Sequence, residues 1–118
     1  MHAACSRLLS ANAGALVTTA LVIAETGWLL DRRLGSAFEA TLCGLVVKGE
    51  LAVQELTPSD WARVTELVER YGDHPLGAVD AGLVAIAERL QLDTIATLDQ
   101  RHFRAVRPKH VEAFKLVP

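Results

Sequence analysis

The sequence predicts an α/β fold in which a short, mainly parallel sheet lies between helices, within a single domain over residues 1–118. The predicted strands are short apolar runs without polar alternation, which is typical of strands covered on both faces. Segments with helical periodicity separate these runs, and this alternation favours parallel pairing. Hydrophobic residues make up 51% of the 118 residues and charged residues 22%, so a core can form without disulfides.

The first half of the chain is predicted to alternate between helices and strands. The predicted elements are a helix over 2–10, a strand over Ala15–Thr18, a helix over Ala20–Arg33, a helix from Ser36 that stops at Gly49, and a strand over Leu51–Leu56. Thr19 suits the N-cap position before the second helix. Ser36 and Glu39 have the Ser-x-x-Glu spacing of a capping box, which predicts that a helix begins there.

The second half of the chain begins with the best-patterned helix, for which Pro58 suits the first position. Its apolar face is predicted to contain Trp61, Val64, Val68 and Tyr71. The segments that follow are a loop over 71–75, a helix over Ala81–Leu90, a strand over Thr94–Leu98, a basic turn and a strand over Phe114–Val117. The predicted order is therefore α β α α β α α β β.

The sequence predicts a soluble, cytoplasmic protein that does not enter a membrane. The apolar segment Ala11–Leu30 contains one ionisable residue, but its turn and cap residues divide it into a strand and a helix. The start of the chain lacks the basic and apolar regions of a signal peptide. Cys5 and Cys43 lie far apart in helical patterns, which favours buried thiols in a reducing compartment.

Three carboxylates occur where the apolar pattern does not predict them. Glu25 lies about two turns into the helix after the first strand, Asp80 lies near a helix start, and Asp99 directly follows a strand. Ligands of open α/β sheets bind outside the carboxyl ends of strands, so these acids are candidates for one shared site. Carboxylates suit Mg²⁺ and Mn²⁺, which can activate water for phosphodiester hydrolysis. We therefore interpret all three as metal-binding and catalytic acids.

Each acid also has a structural interpretation. Asp80 can be a helix-start carboxylate, and Asp99 can be a turn residue. Glu25 is harder to explain in this way, because an unpaired carboxylate on an apolar helix costs several kcal/mol or shifts its pKa. It can nevertheless pair with Arg32 or Arg33. A simple α/β domain, whose acids are only caps and ion pairs, predicts that the three carboxylates do not converge.

Other catalytic classes lack support in the sequence. No GxSxG, HExxH, GxGxxG, P-loop or CxxC motif is present. A glycosidase also uses paired carboxylates, but aromatic residues make up only 5% of the chain and offer little surface for sugar stacking.

Basic residues follow Asp99 closely and suit a phosphate-bearing substrate. They are Arg101, His102, Arg104, Arg107, Lys109 and His110. We interpret Arg101 and Arg104 as RNA contacts, since cationic side chains at a metal site can hold a nucleic-acid backbone. An ordinary solvated face is the alternative for each of them, and His102 in particular fits a surface residue. The net charge of −2 gives no overall bias toward nucleic acid.

Three segments carry a resemblance to a known family. They are TTALVIAETGWLL (Thr18–Leu30), YGDHPLGAVDAGLVAIAERL (Tyr71–Leu90) and TIATLDQRHFRAVRP (Thr94–Pro108), and together they cover about half of the chain. They resemble the PIN-domain ribonucleases, and most of all the toxin component of VapBC-type toxin–antitoxin pairs. The resemblance implies a three-layer α/β/α sandwich with five parallel strands, Mg²⁺- or Mn²⁺-dependent endoribonuclease activity, a homodimer, and a cognate antitoxin that inhibits it.

The resemblance also assigns individual residues. It matches Glu25, Asp80 and Asp99 to the family's second, third and fourth acids, and Thr97 to a position that lines the site. The family's first acid ends a central first strand, whereas residues 1–5 here resemble the helix after that strand. No Asp or Glu precedes Glu25, so we expect that roughly 20 residues with this strand and its acid are absent.

Such an absence has two expected consequences. The strands that flank the first strand lose a partner on one edge, and the metal site loses a ligand. A misassigned start, a truncation, or a strand swapped in from another chain would each explain it. The alternative function is accordingly a catalytically impaired remnant that acts only in dimerisation and antitoxin binding.

Overall fold

A computed structural model of the chain describes residues 2–73 and 76–118. The described residues form the helices α1 (His2–Ala11), α2 (Ala20–Leu34), α3 (Ser36–Val47), α4 (Pro58–Arg70), α5 (Ala78–Leu90) and α6 (Arg101–Arg104), and the strands β1 (Leu16–Thr19), β2 (Leu51–Gln54), β3 (Thr94–Ala96) and β4 (Lys115–Val117). The predicted α/β class is confirmed. Of the predicted loop over 71–75, residues 71–73 form a turn, and residues 74 and 75 lie outside the described part.

The chain divides into two compact units, residues 1–55 and 56–118. In the first unit, β1 and β2 pair in parallel, from Leu16 opposite Leu51 to Thr19 opposite Gln54. Thr19 also caps α2 as predicted, because its hydroxyl accepts a hydrogen bond from the Val22 N–H at 3.3 Å. One buried threonine therefore ends the strand and begins the helix.

The predicted capping box at Ser36 and Glu39 is wrong. Ser36 is already the first residue of α3, and its N-cap is Gly35, which has no side chain to accept a bond. Gly35 adopts a φ of 103°, a conformation that favours glycine, and so joins α2 to α3 without an intervening loop. Glu39 instead lies over α2, where a Cβ atom added to Gly27 would come within 2.7 Å of its carboxylate.

In the second unit, α4 begins with a capping box that was not predicted, although the helix start at Thr57–Asp60 was. The Thr57 hydroxyl accepts from the Asp60 N–H at 3.2 Å, and Asp60 Oδ2 accepts from the Thr57 N–H at 2.9 Å. Pro58 occupies the first helical position, which confirms that prediction.

The apolar face predicted for α4 is only partly correct. Val64 and Tyr71 are buried, but Trp61 and Val68 are exposed and Leu67 is buried instead. The buried face is rotated because α4 turns its Asp60 and Arg63 side chains toward oppositely charged partners on α5. The core of this unit is formed by Val64, Leu67, Tyr71, Leu76, Ala81, Val84, Ala85, Ile95, Phe103 and Val106.

Two ion pairs join α4 to α5. Arg63 donates to Glu88 through Nε at 2.8 Å and Nη2 at 3.0 Å, and Arg89 Nε donates to Asp60 Oδ2 at 3.0 Å. Glu88 also accepts from the backbone N–H of Lys109 at 2.8 Å. Burial acts to raise the pKa of Glu88, but the hydrogen bonds from Arg63 and Lys109 outweigh it and hold that pKa below its ordinary value.

The second unit has its own parallel pair, with Thr94 opposite Lys115 and Ala96 opposite Val117. β3 is shorter than predicted and ends at Ala96, although the Thr97 N–H still donates to the Val117 carbonyl at 2.8 Å. The described residues thus contain two separate two-stranded sheets, whereas the resemblance implied five strands in one sheet. Within this part of the chain, no helix is long and apolar enough to span a membrane.

Candidate functional site

Two of the predicted acids lie on neighbouring segments of the second unit. Asp99 lies in the turn between β3 and α6, just beyond the carboxyl end of the strand. Asp80 is the third residue of α5, whose N-cap is Gly77. No side chain caps this helix, but Asp80 lies in its first turn, which agrees with the interpretation as a helix-start carboxylate.

The imidazole of His102 brings these two acids together. Its Nδ1 lies 2.7 Å from Asp80 Oδ2, and its Nε2 lies 3.3 Å from Asp99 Oδ2. The exposed fractions of the three side chains are 20% for Asp80, 37% for Asp99 and 32% for His102. The cluster is therefore anchored on one side and open to solvent on the other.

Arg101 binds both carboxylate oxygens of Asp99. Its Nε donates to Oδ1 at 2.9 Å, its Nη2 donates to Oδ2 at 2.8 Å, and its backbone N–H donates to Oδ1 at 3.2 Å. The guanidinium and this N–H lower the pKa of Asp99 to about 2. Asp99 is consequently both a turn residue, as the simpler interpretation held, and a carboxylate that stays ionised throughout the neutral range.

The other predicted substrate contacts also lie in this part of the second unit. The Thr97 hydroxyl donates to the Asp99 carbonyl at 3.3 Å. Arg104 is exposed on α6, and its Nη2 donates to Gln100 Oε1 at 3.3 Å. The Arg101 guanidinium is largely exposed, although it already binds Asp99. Both arginines thus present positive charge to solvent within two residues of His102.

Glu25 lies on α2 in the first unit, and it is exposed. The sequence placed it among apolar neighbours, but Trp28 and Leu29 on the same helix are exposed as well. An exposed carboxylate remains hydrated, which removes the expected cost of burying it. Arg32, considered above as its partner, instead has its guanidinium carbon 4.8 Å from the centroid of the Trp28 ring.

The donor atoms of this cluster suit a hard divalent cation. Mg²⁺ commonly binds one or two carboxylates, keeps several waters and takes its remaining ligands from substrate phosphates. Asp80 and Asp99 meet that requirement as a pair of partly exposed carboxylates. Within residues 2–73 and 76–118, no group of three or more His, Cys, Asp or Glu side chains could hold a metal ion. The residues present therefore fit a site in which two carboxylates and several waters would hold the ion.

The contacts of His102 with both acids were not predicted, because the sequence suggested either a basic residue near a phosphate-bearing substrate or an ordinary surface residue. The turn is in fact the short helix α6, which directs His102 back toward Asp99 at spacing i, i+3. The only sequence signal was this Asp-x-x-His spacing after a strand, and it carries little information unless the helix is recognised.

Comparison with known proteins places the chain in a family. The PIN domain family model matches residues 1–108. Ribonuclease VapC26 of Mycobacterium tuberculosis (strain ATCC 25618 / H37Rv) is 32% identical over 117 residues, which cover 99% of this chain and 87% of that protein.

A solved structure supports the same fold. The crystal structure of Mycobacterium tuberculosis VapC20, described as a sarcin-ricin loop cleaving toxin, matches with a TM-score of 0.71. The match covers 79% of this chain and 72% of VapC20 at 22% identity, a level at which it shows the fold alone. These findings confirm both the family resemblance and the predicted PIN-type fold. The chain therefore belongs to the PIN-domain family, and within that family it is similar to the VapC proteins.

Proposed function

We propose that this protein is a metal-dependent endoribonuclease toxin of a toxin–antitoxin pair, and that it hydrolyses RNA phosphodiester bonds with Mg²⁺ or Mn²⁺. The observation that carries the proposal is the meeting of Asp80 and Asp99 at one imidazole, in a PIN-domain chain 32% identical to Ribonuclease VapC26. The family match over residues 1–108 extends through both units, which supports a single PIN-type domain.

The acids would act first by binding the cation. Asp80 and Asp99 would hold it from the second unit, and Glu25 is proposed as a third ligand and catalytic acid. When bound, a divalent ion lowers the pKa of a coordinated water and stabilises the charge on the leaving oxygen. Because the pKa of Asp99 is lowered to about 2, its carboxylate is ionised at neutral pH, which is the form that binds a cation.

The basic side chains would act by holding the RNA. Arg101 and Arg104 are exposed near the acids, and cationic side chains bind phosphates independently of base sequence. Thr97 Oγ1, which donates to the Asp99 carbonyl at 3.3 Å, would line the same site and fix the turn that presents Asp99. These contacts support binding of an RNA backbone without specifying its sequence.

The proposed partners follow from the relatives. VapC20 is described as a toxin that cleaves the sarcin-ricin loop, and VapC26 is named a ribonuclease. By analogy, we expect this chain to act in the cytoplasm on RNA, to form a homodimer and to be inhibited by a cognate antitoxin protein.

A second candidate is a catalytically impaired PIN module that acts only in dimerisation and antitoxin binding. One observation favours it, since among residues 2–73 and 76–118 no group of three or more His, Cys, Asp or Glu side chains is arranged to hold a metal ion. Two carboxylates alone bind a divalent ion weakly, and weak binding lowers the active fraction of the protein. The two candidates differ in whether the purified chain cleaves RNA at all.

RNA cleavage by the purified chain, with Mg²⁺ or Mn²⁺ present and again with EDTA, distinguishes the candidates. The endoribonuclease proposal expects cleavage that EDTA abolishes and that Asp80→Asn lowers at least about 100-fold, because a metal ligand is lost. Asp73→Asn is the matched control, since Asp73 is an exposed turn residue of the same unit. No cleavage by the unaltered chain, together with retained antitoxin binding, would establish the impaired module instead.

A further inference from the structure

We propose that Arg107 is a phosphate contact for the RNA strand, and that the hydroxyl of Tyr71 is what positions it. The inference rests on the proposed ribonuclease function and adds a binding residue to Arg101 and Arg104. It concerns how the substrate is held, and it does not depend on how the acids bind a metal ion.

Burial alternates along the segment that follows α6. Val106 and Pro108 are buried, whereas Arg107 and Lys109 are exposed. The Arg107–Pro108 peptide also restricts the backbone, because proline has a fixed φ and disfavours a helical conformation of the residue before it. The two cationic side chains therefore extend into solvent from a segment whose other side chains are buried in the second unit.

Two buried side chains hold the backbone of this segment. The Arg107 N–H donates to the Tyr71 hydroxyl at 3.0 Å, and the Lys109 N–H donates to Glu88 Oε2 at 2.8 Å. Tyr71 is 8% exposed and Glu88 is 9% exposed, so both acceptors belong to the interior of the unit. An arginine on a loose loop loses backbone freedom when it binds a ligand, whereas here folding has already fixed the backbone.

The charge of Arg107 is not compensated by an acid. Three other arginines of the second unit form ion pairs with carboxylates, namely Arg63, Arg89 and Arg101. Among the described residues, the exposed guanidinium of Arg107 has no acidic partner. Lys109 is an intermediate case, because its Nζ lies 3.9 Å from Glu66 Oε2. We therefore assign the phosphate contact to Arg107 and not to Lys109.

Arg104 provides a second cation close to Arg107. The two are three residues apart in sequence, so their Cα atoms are at most roughly 11 Å apart. Phe103 and Val106 are buried while Arg104 and Arg107 are exposed, so the two cations face solvent together. A guanidinium binds phosphate through two parallel N–H donors, and RNA carries a phosphate at every nucleotide. One RNA strand can therefore contact both arginines through neighbouring phosphates.

The test is fluorescence anisotropy of a labelled single-stranded RNA of mixed sequence, titrated with the full chain in EDTA at several salt concentrations. We expect Arg107→Gln to weaken binding about fivefold at about 0.1 M salt, and to lower the slope of log K against log salt by about 0.7, because one phosphate contact is lost. Arg70→Gln is the matched control, since Arg70 is an exposed arginine of the same unit and its replacement changes the net charge equally. Its slope should equal that of the unaltered chain.

Tyr71→Phe tests the positioning role, because it removes the hydroxyl that accepts from the Arg107 N–H and keeps the buried ring. Alone, this substitution should weaken RNA binding by at least about twofold, since the side chain must then be ordered on binding. Added to Arg107→Gln, it should weaken binding no further. A general structural effect of Tyr71→Phe would instead lower the affinity by the same factor in both backgrounds.

The outcomes separate this inference from the proposal on which it rests. If the unaltered chain cleaves RNA with a metal ion, but Arg107→Gln binds RNA with the affinity and slope of Arg70→Gln, the phosphate contact is wrong while the function stands. If Arg107→Gln weakens binding as expected but the unaltered chain never cleaves, the contact stands and the catalytic proposal fails. If the unaltered chain binds no RNA, both fail. Additive effects of Tyr71→Phe and Arg107→Gln would overturn the positioning role alone.

Discussion

The helices α3 and α5 are both rich in apolar residues, yet the structure uses them in opposite ways. None of the described residues of α3 is buried, even though this helix is almost uncharged and has Glu39 as its single charged residue. In α5, residues 81, 82 and 84–88 are all buried, even though this helix carries three charged side chains. Apolar composition alone therefore did not determine which helix enters a core.

The two units differ, as these two helices do, in how many of their residues are buried. Among residues 3–55, only Thr18, Thr19 and Gly27 are buried, and large apolar side chains such as Trp28, Phe38 and Val47 are exposed. The second unit contains a hydrophobic core and the two ion pairs between α4 and α5. The acids that meet at His102 belong to this better-packed unit. We infer that burial, rather than hydrophobicity, will rank the effects of substitutions.

The largest expected difference compares two leucines. Leu67 is fully buried on α4, whereas Leu34 is 57% exposed at the end of α2. Leu67→Ala should lower the free energy of unfolding by about 2–5 kcal/mol, because it leaves a cavity. Leu34→Ala should change it by less than about 0.5 kcal/mol. Urea denaturation of both variants measures the contrast, and equal effects would contradict the comparison.

The next effect concerns the buried ion pair between α4 and α5. Arg63→Met removes the partner of Glu88, whose side chain is only 9% exposed. Leaving that buried carboxylate without its partner should lower the free energy of unfolding by about 3 kcal/mol, which thermal or urea unfolding would detect. Arg70→Met is the control, since Arg70 is exposed in the last turn of the same helix. A loss no larger than that of the control would show that the pair adds nothing to the unit.

The same pair predicts a dependence of stability on pH. The pKa of Glu88 lies below its ordinary value of 4.5 in the folded protein, so the unfolded chain binds its proton more readily. This contribution is fully present above pH 4.5 and is lost as the pH falls through the lower, folded-state value. The free energy of unfolding should therefore decrease as the pH drops below about 4.5, and Arg63→Met should flatten or reverse that decrease.

The smallest expected effect lies in the first unit. Gly27→Ala would place a Cβ atom 2.7 Å from Glu39 Oε2, but this is the end of a flexible side chain that can move. The gain of about 1 kcal/mol in helix propensity should roughly offset the rearrangement. The double variant with Glu39→Ala should then be more stable than Glu39→Ala alone. If it were less stable, the contact would involve more than the carboxylate.

Local signals in the sequence predicted much of the fold, and tertiary partners account for the differences. Thr19 and Pro58 were placed correctly, because a cap or a first-turn proline depends on adjacent residues. The buried face of α4 was not predicted correctly, because Asp60 and Arg63 are buried only where α5 supplies Arg89 and Glu88 as their partners. No periodicity within α4 contains that information.

The candidate site shows the same division. Asp80 and Asp99 were identified as acids outside the apolar pattern, and the structure brings them to one imidazole. The contacts of His102 with both acids depend on α6, a single helical turn too short to produce a periodic signal. Positions after strands can thus be read from sequence, whereas contacts made through a one-turn helix require coordinates.

The measurement that tests the central claim most directly is RNA cleavage by Asp99→Asn beside Asp93→Asn, at saturating Mg²⁺. Both substitutions remove one carboxylate near β3, but Asp99 meets His102 and Asp80, whereas Asp93 Oδ1 accepts a hydrogen bond from the Thr94 hydroxyl at 2.8 Å. We predict a loss of at least about 100-fold for Asp99→Asn and nearly full activity for Asp93→Asn. Equal activity of the two variants would contradict the assignment of Asp99 to the metal site.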